Sequence, residues 1–131
     1  GPYIDNRKIP FPRGKVLGGS GSINGHLYVR GQSADYDMWA QLGCRGWSWD
    51  DVLPYFLRSQ HQERDAGALH GKGGPLGVSQ PSAPLPICEA YFAAAGQIGI
   101  PTNRDLTSET PEGVGYYQLT QRNVRRSSAS I

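Results

Sequence analysis

Five glycines fall within the twelve residues Gly14 to Gly25, at positions 14, 18, 19, 21 and 25, and they constrain the chain strongly. A run of this density resists both helix and strand, because each interior glycine costs about 0.5–1 kcal/mol of backbone entropy relative to alanine. What it permits is close approach of the main chain to a flat or phosphorylated ligand. Backbone N–H groups and the hydroxyls of Ser20 and Ser22 would then serve as donors. A helix beginning here would add a positively polarised end facing a phosphate. On pattern alone, a ligand cradle and a purely structural turn both stay open. Gly18-Gly19-Ser20-Gly21 lacks the Gly-x-Gly-x-x-Gly placement after a clear strand, and Gly14-Lys15 and Gly71-Lys72 lack the phosphate-loop spacing before Ser or Thr. Neither a standard dinucleotide fingerprint nor a nucleoside-triphosphate loop is therefore expected.

The rest of the chain is punctuated clearly enough to place its elements. Pro2, Pro10 and Pro12 give an extended approach to the glycine run. Leu27-Tyr28-Val29 is too short for its period to separate helix from strand. Ser33 is a candidate N-cap for a helix through Leu42, with Asp35 in the first turn, Gly43 as the stop, and Met38, Trp39 and Leu42 expected in the core. Ser48 and Asp51 form a candidate capping box for a helix near 48–59, with Trp47 and Val52 at staple spacing and Leu53 and Phe56 inward. Pro54 removes one donor inside it and predicts a bend. From Gln60 to Gly77 the pattern becomes polar and glycine-rich, which places His70 to Pro75 in a loop, with a short strand expected at Leu76-Gly77-Val78. Pro86 opens a third helix, 86–99, whose predicted inner face is Ile87, Ala90, Tyr91, Ala94 and Ile98. Residues 100–112 return to loop, and 116–120 suits an edge strand. The fold class expected is α/β or α+β.

Composition narrows the function. With 131 residues, 37% hydrophobic and 18% charged, the chain has material for one modest core. A net charge of +2 does not point to nucleic acid, and the run Arg122 to Arg126 is either a solvated face or a phosphate contact. Cys44 and Cys88 match no metal or redox spacing, so free thiols and no metal site are expected. Ser20, His26 and Glu63 suggest a hydrolase triad only superficially, since the nucleophile-elbow sequence is absent. No run approaches the ~20 apolar residues of a membrane span, and Gly1-Pro2-Tyr3-Ile4-Asp5 lacks a secretory signal's features. Neither Gly1-Pro2 nor Ser130-Ile131 reads as a natural terminus. The compartment stays open between a cytoplasmic and a membrane-associated parent.

A longer match makes the glycine run specific. The segment from Pro12 to Gly25, followed by Tyr28-Val29-Arg30-Gly31, resembles the first signature of the glucose-methanol-choline oxidoreductases. Asp35-Tyr36-Asp37, Trp39, Gly46-Trp47-Ser48 and Asp51 to Phe56 are similar to the same family. So are His70-Gly71, Gly73-Gly74-Pro75-Leu76 and Gly99-Ile100-Pro101. Asn123-Val124-Arg125-Arg126-Ser127-Ser128-Ala129 resembles a later family segment, with Val124 in place of its usual glycine.

The resemblance implies part of a flavin adenine dinucleotide (FAD) binding fold with adjoining substrate-domain elements. Residues 1–35 would form the cradle and its following element, and 36–131 a helical, loop-rich junction. The implied reaction is oxidation of an alcohol CH–OH group by hydride transfer to flavin; the alternative is a noncatalytic FAD-binding or domain-interaction fragment. Implied cofactor residues are Arg13, Gly18, Gly19, Ser20, Asn24, Gly25, His26 and Leu27, with Ser20 and Asn24 as polar contacts. Arg30 is expected in a structural pairing, with Asp35 or across domains. Some members attach flavin through a His where this chain has Ile23, so noncovalent FAD is expected, and Gly21 replaces a common serine. No catalytic residue is assigned. The dinucleotide fingerprint and the distal His that the family uses as base lie outside these residues, making an N-terminal and a C-terminal segment, and an alcohol substrate, the expected partners.

Overall fold

Capping chemistry places the helices. The structure, a computed structural model, describes residues 2–64 and 67–129. Gly1, Asp65, Ala66, Ser130 and Ile131 lie outside them, and with them the end residues considered above. Helix α1 is Ser33–Gln41, but its cap is Gln32 rather than Ser33. Asp35 reaches back to accept the Gln32 N–H at 2.8 Å, so Ser33 already has helical geometry. Helix α2, Trp49–Ser59, has the expected cap: Ser48 N–H donates to Asp51 at 3.1 Å and Asp51 N–H to the Ser48 hydroxyl at 3.4 Å. Pro54 sits inside α2. Helix α3 is Pro86–Gln97, opened by its proline.

Short strands connect these helices. Leu27–Tyr28 forms β1, Gln60–Gln62 β2, Leu76–Val78 β3, Gln118–Leu119 β4, Gln121–Arg122 β5 and Arg125–Arg126 β6. Strand β1 pairs antiparallel with β4, β5 with β6, and β2 runs parallel to β3. A parallel pair needs a connection that crosses over, here made by the chain between Gln62 and Leu76. The strand at 60–62 was not expected from its polar residues: the Gln60 and Gln62 side chains are buried because neighbouring polar groups satisfy their amides. Strand β5 also packs beside β3, where a Cβ on Gly77 would lie 2.6 Å from that of Arg122.

The interior differs from the predicted one in two places. Helices α1 and α2 join through an aromatic cluster, with Tyr36 5.4 Å from Trp39, 5.6 Å from Trp49 and 5.8 Å from Phe56 between ring centroids. Such pairs add about 0.5–1.5 kcal/mol each beyond area burial. Met38 and Leu42, however, are 49% and 77% exposed, so that stripe is not core within this chain. In α3 the inward residues are Cys88, Phe92 and Ala95, while Ile87, Tyr91 and Ile98 of the predicted face are exposed. The helix is apolar nearly all round, so spacing alone could not choose its inner side. Among the described residues the fully buried apolar one is Val78, and much of the remaining interior is polar.

That polar interior forms one knot. Arg30 donates from Nε to the Tyr28 hydroxyl at 2.8 Å, from Nη1 to Leu69 O at 2.6 Å, and from Nη2 to Gln60 Oε1. Its expected structural role holds, although the partner is not Asp35, which caps α1. The His70 side chain is 1% exposed, with Nε2 2.8 Å from Asp105 Oδ2 and Nδ1 3.1 Å from Gln60 Nε2. Partial burial pushes the Asp105 carboxyl upward, but hydrogen bonds from Thr107 and His70 outweigh it and hold it below the ordinary carboxylate value.

Candidate functional site

The glycine run folds back on itself as a small cradle. Gly19–Ser22 make a single 3-10 turn, entered through left-handed Gly18 and Gly19 with φ of 84° and 56°. No helix long enough to offer a phosphate a polarised end begins here, since one short turn has no appreciable macrodipole. Gly14 crosses so close to the turn that a Cβ there would lie 2.1 Å from Gly19 O. Its N–H donates to the Ser20 hydroxyl at 3.2 Å, while Ser22 donates to Leu17 O at 2.8 Å. On the other side, a Cβ at Gly19 or Gly25 would meet nothing within 4 Å.

The eight sequence-assigned residues divide by position. Gly18, Gly19, Ser20, Asn24, Gly25 and His26 belong to the cradle and its exit turn. Asn24 Oδ1 accepts the His26 N–H at 2.9 Å, which carries His26 into the left-handed region at φ 46°. The His26 carbonyl then accepts the Thr120 N–H at 2.7 Å, delivering the chain to β1. His26 Nδ1 is buried and finds no partner among the described residues. Leu27 lies half-exposed at the rim of an open hollow of about 530 Å³ with Tyr91, Phe92, Tyr116 and Leu119. Arg13 is exposed, its guanidinium 4.5 Å over the Phe11 ring.

One functional neighbour escaped the sequence reading. Strands β5 and β6 form a hairpin whose turn residues, Asn123 and Val124, both take left-handed φ, 51° and 61°. That geometry favours Asn-Gly, so Val124, β-branched, is strained there. The hairpin brings Arg126 to the cradle: Nη1 donates to Asn24 Oδ1 at 2.8 Å and Nη2 to Asn24 O at 2.8 Å. Ser22 and Ser128 hydroxyls meet at 3.3 Å beside it. The signal available beforehand was the resemblance of 123–129 to a family segment. Ser20, His26 and Glu63 do not assemble a triad, since Glu63 accepts the Asn123 N–H at 3.4 Å instead. Tyr116 donates to Glu89 at 2.8 Å and its phenol is pushed up to about 12, by desolvation first and then by the Glu89 carboxylate. It stays protonated at neutral pH.

The fold is a mixed α/β segment of three helices and small two-stranded sheets, and comparison with known proteins places it further. The family model described as GMC oxidoreductase matches residues 2–131. The chain belongs to the glucose-methanol-choline oxidoreductase family. It is 43% identical over 129 residues to an oxygen-dependent choline dehydrogenase of Sinorhizobium fredii, covering 98% of this chain and 24% of that protein. The Brucella ovis oxygen-dependent choline dehydrogenase matches with the same identity and coverage. Among solved structures, an FAD-dependent oxidoreductase from Chaetomium thermophilum superposes with a TM-score of 0.86 at 31% identity, over 95% of this chain and 24% of that one. Pyridoxine 4-oxidase from Mesorbium loti gives 0.81 at 32% identity, over 90% of this chain and 24% of that one. The chain therefore spans about a quarter of the length of these relatives.

Proposed function

We propose that this chain supplies one side of the FAD site in an oxidoreductase that oxidises an alcohol CH–OH group. The observation that carries the reading is the cradle's residual hydrogen-bonding capacity. The Ser20 hydroxyl proton, the Asn24 amide nitrogen and His26 Nδ1 have no partner among the described residues, and Gly19 and Gly25 leave their outer sides open. These groups suit a polar, flat cofactor whose backbone contacts need glycine. FAD, when bound, would supply the hydride acceptor. Ser20 and Asn24 would donate to it, Gly18, Gly19 and Gly25 would let it approach the main chain, and Leu27 would pack near the flavin. Arg13 would lie toward its charged part. Ile23 offers no nitrogen nucleophile, which supports noncovalent attachment.

None of the three histidines is assigned as the base. His70 is occupied on both ring nitrogens and His61 Nδ1 accepts the Gly73 N–H at 3.0 Å, while His26 belongs to the cradle turn. The alcohol proton would pass to a group outside this chain, as the family resemblance implies, and the expected N-terminal and C-terminal segments would complete the enzyme. Equilibrium dialysis of the folded chain against FAD tests the reading. Saturable binding near one FAD per chain, with all flavin released on denaturation, supports a noncovalent cradle. A folded chain that retains no FAD counts against an autonomous cradle, and flavin that stays attached after denaturation counts against noncovalent binding.

A further inference from the structure

We propose that Arg126 is a positioning residue of the cradle, the strut that fixes the Asn24 turn in a conformation able to receive its cofactor. The inference rests on the FAD reading above, and adds to it a residue about a hundred positions away in sequence. Arg126 holds three oxygens of the turn at once: Gly21 O at 3.2 Å and Asn24 Oδ1 at 2.8 Å through Nη1, and Asn24 O at 2.8 Å through Nη2. The oxygen Asn24 Oδ1 also takes the His26 N–H, at 2.9 Å, so one atom couples the guanidinium to the left-handed residue that leads out of the cradle. A planar fork can bridge a side-chain oxygen and a main-chain oxygen in this way; a lysine ammonium keeps the charge without the fork.

The strut is itself held. Arg126 pairs with Gln121 across the hairpin, and its neighbour Ser127 donates its N–H to Thr120 O at 2.8 Å. The Ser127 hydroxyl accepts the Gly77 N–H at 2.9 Å, tying the same strand to β3. The guanidinium is thus presented from a backbone anchored on two sides. Because Arg126 fills Asn24 Oδ1 and Asn24 O, it also decides which group of Asn24 is left for a ligand: the amide nitrogen, a donor. An acceptor-rich ligand face, such as the pyrophosphate or the flavin carbonyl and ring-nitrogen edge of FAD, matches that donor.

The test compares the whole chain with its R126M and R126K variants in two ways. Without FAD, amide hydrogen exchange at Asn24 and His26 is expected to speed up about tenfold or more in R126M, the scale of losing a charge-assisted hydrogen bond, with β2 and β3 unchanged. With FAD, the dissociation constant should rise by a similar factor, about tenfold, at both low and high salt, and R126K should restore only part of it. Should R126M loosen β2 and β3 as well, R126K carries the same comparison. Unchanged exchange at 24–26 overturns the inference whether or not FAD binds. So does an unchanged FAD affinity, full recovery in R126K, or a defect that disappears in high salt, which would make Arg126 a point charge. Wild-type chain that binds no FAD counts against an autonomous cradle, while exchange still reports on the strut.

Discussion

The polar knot around His70 and the glycine cradle around Asn24 are built from the same kind of bond and end in opposite states. In the knot, side chains from β2, loop 67–75, loop 103–107 and β4 satisfy one another: Gln62 meets Gln118 at 3.1 Å, His70 meets Asp105 at 2.8 Å, and Thr107 donates to Asp105 at 2.8 Å. In the cradle, main-chain strain at His26 is tolerated while three polar groups find no partner among the described residues. A buried network that closes on itself specifies a fold, whereas strain with leftover donors marks where a chain is shaped for something else. His70 and His26 show the contrast within one residue type.

Removing the knot's centre should cost the most. His70→Ala leaves Gln60, Gln62 and Asp105 short of a partner in the interior, and is expected to lower stability by about 3 kcal/mol, read as a fall in the denaturation midpoint. An unchanged midpoint would mean the knot is dispensable. The cradle's hairpin should respond in the other direction. Val124→Gly relieves a β-branched residue at φ 61° and is expected to stabilise the fold by about 1 kcal/mol, with no loss of FAD binding.

Asp105 makes the knot sensitive to acid. Its folded carboxyl titrates below the ordinary 3.8, so the unfolded state takes up the proton first as pH falls. The stabilisation is present above that ordinary value and disappears as pH drops through the lower folded value. Denaturation midpoints should therefore fall more steeply below pH 3.8 in the wild-type chain than in D105N, and equal slopes would contradict the arrangement. The smallest effect belongs to the exposed side of α3: Ile87→Gln should shift stability by less than about 0.5 kcal/mol, because that side chain is 70% exposed.

These regions also differed in how far the residues alone revealed them. The three helices were legible from Ser48, Asp51, Gly43 and Pro86, whose roles are local and depend on fixed offsets. The inner face of α3 was not, because Ile87, Tyr91, Phe92 and Ala95 are all apolar and only the neighbours decide which side is covered. The knot was hidden for a different reason. Gln60 and Gln62 look like loop residues until distant partners are supplied, and polar side chains reveal burial only through the groups that satisfy them. The cradle's glycines were visible, as was its match to the family, but the single 3-10 turn that its residues adopt was not. Arg126 lay within a basic run whose two readings were a solvated face and a phosphate contact, and its bonds to Asn24 bridge residues that no local pattern joins.

The most direct measurement is FAD binding by Gly14→Ala beside the wild-type chain, by equilibrium dialysis with folding checked in parallel. A methyl group at position 14 would stand 2.1 Å from Gly19 O and must push the cradle open, while the knot around His70 is left alone. A folded variant is expected whose FAD affinity falls by about tenfold or more, the cost of misplacing hydrogen-bond donors by a fraction of an ångström. A folded variant that binds FAD as tightly as the wild-type chain would contradict the claim that this glycine turn holds the cofactor.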